Sequence, residues 1–109
     1  MNEILGRWVQ RKDQPYAGLW FEFHENGEFT AEYEAMAITS SGTYSISENE
    51  IDMDQTAHAL GMTGKFAGRF AVDGNVLQLS LAAGAGQPRP ADLSKARIYI
   101  KAEKGTVRG

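Results

Sequence analysis

The chain has 109 residues, no cysteine and a formal net charge of -3 from 11 basic and 14 acidic side chains. That size suits one domain, expected over residues 1–109, which can bury a core without a disulfide or metal staple. The missing thiols exclude thiol catalysis and thiolate-bound zinc, and the interspersed charges offer no electropositive surface to nucleic acid.

The chain opens MNEILGRW, with no basic segment followed by an apolar one, so no signal peptide is read and a cytoplasmic location is expected. A first strand is expected over Leu5 to Gln10. From Leu19 to His24 the residues alternate, with Leu19, Phe21 and Phe23 on one face, and Phe29 to Ala35 repeats the pattern with Phe29, Ala31, Tyr33 and Ala35. A two-residue Asn26-Gly27 turn would set one strand's apolar face against the other's polar face. A three-residue loop of Glu25, Asn26 and Gly27 instead pairs Phe23 with Phe29, Phe21 with Ala31 and Leu19 with Tyr33, and is the register expected.

Further along, Gly42 to Ser47 and Ile51 to Met53 alternate, with Ile46 facing Ile51 across a Glu48-Asn49 turn. The irregular segment Gln55 to Thr63 has room for one short helical turn. A tight Asp73-Gly74 turn, type I′ by residue preference, is expected to pair Phe70 with Leu77, Gly68 with Leu79 and Phe66 with Leu81. The longest loop runs from Ala82 to Lys95, a length typical of lids and binding loops, before a last strand over Ile98 to Ala102. No window reaches the roughly 18 apolar residues of a membrane span. The fold class expected is all-β: an antiparallel up-and-down meander of about eight strands, curled into a barrel because closure removes exposed edges, with at most one short helical turn.

Gly6-Arg7-Trp8 before this meander resembles the Gly-x-Trp opening of lipocalin-like, or calycin, barrels. In order and spacing, Gly42-Thr43-Tyr44, Ile51-Asp52-Met53, the hairpin Val72 to Leu79 and Pro88-Arg89-Pro90 are similar to those of a family of small bacterial lipocalin-like domains. The chain departs from that pattern at Ser80, where the family often has cysteine, and at Ala102, where it often has an arginine ending the last strand. In such barrels a late arginine often packs on the tryptophan, and here Arg97 or Lys101 would have to replace it against Trp8. The resemblance implies a barrel able to hold a small hydrophobic molecule, and it implies no particular reaction and no cofactor.

The inward set expected from strand parity is Leu19, Phe21, Phe23, Phe29, Ala31, Tyr33, Tyr44, Ile46, Ile51, Met53, Phe66, Gly68, Phe70, Leu77, Leu79, Ile98 and Ile100. A barrel this narrow is either filled by side chains or holds one small ligand. The bulky rings favour filling, whereas Ala31, Ala35, Gly42 and Gly68 leave room on one wall. If a ligand is held, Phe21, Phe29, Tyr33, Tyr44 and Phe70 are the candidate lining, with the two tyrosine hydroxyls seeking either a ligand group or a backbone partner. Trp8 is the expected plug of one barrel end. Trp20 is out of phase with its neighbours and expected outside with Val76, Ala71 and Tyr99, where a shared patch would make a homodimer or partner interface.

No catalytic or metal site is expected. Asp52 and Asp54 share a face, but the one opposite Ile51 and Met53, so both carboxylates are expected to point to water and not into a site that divides acid and base roles. His24 stands near Glu22 and Glu28, while the second histidine, His58, lies in a distant loop, too little for a metal centre.

Overall fold

The computed structural model describes residues 4–82 and 84–102, so both ends of the expected 1–109 domain, and Ala83 within the expected 82–95 loop, lie outside the described residues. The strands are β1 (Gly6–Gln10), β2 (Trp20–Phe23), β3 (Glu28–Tyr33), β4 (Ile38–Ser47), β5 (Glu50–His58), β6 (Gly64–Asp73), β7 (Val76–Leu81) and β8 (Arg97–Ala102). Every neighbour in sequence is an antiparallel neighbour in space, and β8 returns to pair with β1, which closes the barrel. Among the described residues, no helix is long and apolar enough to cross a membrane.

The alternation that predicts the strands also sets their faces. Phe23 pairs with Phe29 and Phe21 with Ala31 across a loop in which Gly27 takes a φ of 88°. That value lies in the left-handed region, open to glycine at no steric cost, so the three-residue loop holds. Ile46 pairs with Ile51 as expected. The interior then gathers Trp8, Phe21, Phe23, Phe29, Ile51, Met53, Phe70, Leu77 and Leu79, each buried. Fully burying one such side chain contributes about 1.5 to 3 kcal/mol relative to leaving it in water.

Three expectations are corrected. The hairpin joining β6 and β7 turns on Gly74 and Asn75, so Phe70 pairs with Leu79 and Gly68 with Leu81. Only Gly74 has a positive φ, which suits a type II′ turn with glycine first and not the expected type I′. The shift amounts to two residues, and a two-residue shift keeps every side chain on its face. The helical turn is not in 55–63, where β5 continues to His58; it is a 3-10 turn at Glu34–Met36, and Ala35 is exposed there instead of facing the core. In β8 the parity is inverted: Tyr99 is buried at 3% exposure while Ile100 is 37% exposed. Tyr99 pairs with Gln10 of β1, in phase with Trp8, so its ring points inward.

The two barrel ends differ. One carries the short turns at 24–27, 48–49 and 74–75 and receives the chain through Ile4 and Leu5. The other carries the long connections 11–19, 34–37, 59–63 and 82–96, and forms the mouth.

Candidate functional site

The middle of the barrel is filled. Ring contacts run from Tyr99 to Phe21 at 5.8 Å between centroids, from Phe21 to Phe23 at 5.9 Å and from Phe23 to Tyr44 at 5.0 Å. Such edge-on and offset pairs add to the area they bury. The two glycines expected to leave room do not: a methyl group added to Gly68 would meet the Leu81 side chain and the Ser80 carbonyl, each at 2.7 Å, and one at Gly42 would collide with the Asp54 carbonyl.

What space remains lies at the ends. At the mouth an open cavity of about 1160 Å³ is walled by Leu19, Phe21, Leu79 and Leu81 from the barrel and by Pro88, Pro90 and Ala96 from the long loop, with Gln10 and Tyr99 also in its lining. At the opposite end a smaller depression of about 670 Å³ is lined by Tyr44, Ile46, Phe70 and Val72. The five residues expected to share one lining are thereby divided. Phe21 faces the mouth cavity, while Tyr44 and Phe70 face the far depression. Phe29 is 1% exposed within the core, and Tyr33 stands edge-on to Tyr16, 5.9 Å away. The Tyr44 hydroxyl donates to the His24 carbonyl at 2.7 Å, so its partner is backbone.

Among the polar side chains of the mouth lining are two buried ones, Gln10 and Tyr99, that strand parity did not place there, and buried Ser80 lies in it as well. Gln10 is 2% exposed and Tyr99 3%. The Tyr16 backbone N–H donates to Gln10 Oε1 at 2.7 Å, and Gln10 Nε2 donates to the Tyr99 hydroxyl at 3.0 Å. A backbone N–H can only donate, so it fixes which end of the amide is oxygen and obliges the Tyr99 oxygen to accept. Burial pushes the Tyr99 phenol up to about 12, against smaller opposing effects of the Gln10 hydrogen bond and the Arg97 charge. The Gln10 signal was present in the sequence: it follows Trp8 by two residues and so shares its inward face.

The loop forming the cavity's outer wall is tied down by the arginine of Pro88-Arg89-Pro90. Arg89 Nη1 donates to the Gly68 carbonyl at 2.8 Å and the Ile51 carbonyl at 3.1 Å, and Nη2 to Asp52 Oδ1 at 2.8 Å. Arg69 Nε donates to the Pro90 carbonyl at 2.7 Å, and its Nη1 reaches Glu50 at 3.3 Å. Asp52 is thus an exposed anchor for the loop, and the fixed fork of the guanidinium, carried on a backbone that the flanking prolines restrict, spans two strands.

At the opposite end, Trp8 is 1% exposed and donates through Nε1 to the Ile4 carbonyl at 2.8 Å. Of the two cations weighed for the late-arginine position, Lys101 takes it: its Nζ lies 4.7 Å over the Trp8 ring and donates to the Leu5 carbonyl at 2.6 Å. Trp20 does lie on the outer wall, but half-buried, because the Arg7 guanidinium stacks 3.8 Å over its ring while pairing with Glu22 at 2.8 Å. His24 Nδ1 lies 4.0 Å from Glu22.

Comparison with family models, with curated proteins and with solved structures finds no match to this chain. The functional reading therefore rests on the site itself.

Proposed function

We propose that this protein is a small lipocalin-like barrel that binds an apolar or amphipathic small molecule at its mouth. The observation that carries this reading is the cavity of about 1160 Å³ walled by Leu19, Phe21, Leu79, Leu81, Pro88 and Pro90, with a buried polar pair in its lining. A concavity with an apolar wall and polar groups converging on it is what small-molecule sites share. The loops around it add support. Among the described residues, four of the five large apolar side chains that stand exposed, Tyr16, Met36, Leu60 and Met62, lie on mouth loops, leaving Ile100 as the fifth. A loop pinned by Arg89 makes a standing wall, so the ligand enters beside it.

The test is a titration with the neutral fluorophore N-phenylnaphthylamine. Saturable enhancement is expected in the native protein, abolished by Leu19→Glu at the mouth and retained by Ile46→Glu at the far depression. Absence of saturable binding in the folded wild type sinks the reading; loss with Ile46→Glu but not Leu19→Glu moves the site to the other end.

A further inference from the structure

The mouth cavity has a chemical preference as well as a shape. Gln10 Oε1 is held by the Tyr16 N–H, so the Tyr99 oxygen accepts from Gln10 Nε2 and its own hydrogen is left to donate elsewhere. Among the described residues, neither that hydroxyl hydrogen nor the second hydrogen on Gln10 Nε2 has a protein acceptor. Both side chains are more than nine-tenths buried, and both line the cavity. Buried donors with nothing to donate to are costly, by the full desolvation of the group, and the cost is recovered when an acceptor arrives.

The nature of that acceptor follows from the charges nearby. The cationic side chains in the lining, Lys95 and Arg97, are both exposed at the rim, and the Arg97 guanidinium lies 6.0 Å over the Tyr16 ring. An ionised carboxylate seated beside Tyr99 would leave water with two neutral donors and the exposed, solvent-screened Arg97 as its compensation, which is poor payment for a buried charge. An uncharged carbonyl oxygen takes two hydrogen bonds in its lone-pair directions and asks for no cation. Resting on the reading of the mouth as a ligand site, we propose that it selects an apolar molecule bearing an uncharged carbonyl-type oxygen, as in an ester, ketone or amide, and that Tyr99 and Gln10 hold that oxygen.

The experiment is displacement of bound N-phenylnaphthylamine by methyl octanoate, by octanoate and by an n-alkane of matched length, on the wild type and Tyr99→Phe. Loss of one hydrogen bond predicts that Tyr99→Phe weakens methyl octanoate by about three- to tenfold and changes the alkane by less than about twofold. Octanoate is expected to compete less well than its ester. A second measurement needs no variant: the infrared carbonyl stretch of methyl octanoate bound to the wild type should move to lower frequency than in alkane solvent. Equal effects of Tyr99→Phe on ester and alkane, an unmoved carbonyl band, or octanoate binding more tightly than its ester would each overturn the preference while leaving the site in place. A native protein that never binds the fluorophore overturns the site and the preference together.

Discussion

Tyr99 carries a proton that the fold protects. Its phenol is pushed from 10.0 up to about 12, chiefly by burial, which disfavours the phenolate. In the unfolded chain the same group ionises near its ordinary value, so the native state holds the proton to higher pH than the unfolded state does. The linkage has a definite sign: stability is unaffected by this group below about pH 10, and falls as pH rises through the folded value near 12. The full loss is on the order of 2 to 3 kcal/mol. Urea unfolding from pH 8 upward should show wild-type stability declining above about pH 10, with Tyr99→Phe declining less. Parallel pH profiles for the two proteins would refute the assignment. Nothing local in Arg97-Ile98-Tyr99-Ile100 reveals this burial, because three apolar bodies in a row fit either parity. What decides is the partner strand, where Trp8 and Gln10 already face inward and Gln10 gives the hydroxyl a buried hydrogen bond.

At the scale of elements, the loop of residues 82–96 depends on one side chain more than on its own backbone. Arg89 bridges the Ile51 and Gly68 carbonyls, which belong to paired strands, and adds Asp52. Replacing it with alanine removes these charge-assisted bonds from a partly covered site and is expected to cost about 1 to 2 kcal/mol. Arg89→Lys should recover little, because a point charge cannot span three acceptors. Limited proteolysis is the direct measurement, with new cleavage between 84 and 96 in Arg89→Ala while the strands stay intact. A loop equally resistant in both variants would show that its packing suffices without the guanidinium.

The same scale shows where the sequence is informative. Hairpin faces were legible because Phe21, Phe23 and Phe29 tolerate one parity only, and the Glu48-Asn49 turn followed from Ile46 opposite Ile51. The Gly74-Asn75 turn was less so, since a two-residue shift alters partners but not faces, and burial cannot choose between such registers. The anchoring by Arg89 was illegible for another reason: a loop arginine finds its acceptors by tertiary approach, and no spacing along the chain encodes that. Division of the candidate lining between two ends had the same origin. Parity states which side chains point inward, but the height of each ring along the axis depends on strand stagger, and the ring sequence Tyr99, Phe21, Phe23, Tyr44 fills the middle.

For the whole molecule the decisive contact is the seam between first and last strands. Seven of the strand pairings join sequence neighbours, whereas β1 to β8 joins residues 7–10 to 99–102 and alone makes a sheet into a barrel. Its loop-closure cost is the largest in the fold, and without it the chain would present two open edges. Lys101 stands at that seam, its ammonium over Trp8 and bonded to the Leu5 carbonyl, so it ties the last strand to the segment entering the first. Lys101→Met keeps an unbranched stem and removes the charge, so the expected loss of about 1 to 2 kcal/mol reports the cation's contacts with the ring and the carbonyl. The loss should also be local. Hydrogen exchange in Lys101→Met should show the amides of β1 and β8 losing protection together while β4, β5 and β6, paired over their longest ladders, keep theirs. Uniform loss across all strands would mean that the barrel opens only by global unfolding and that the lysine is no clasp. Because Gln10 and Tyr99 face each other across this same seam, a variant that loosens it should weaken ligand binding at the mouth even though Lys101 lies toward the opposite end.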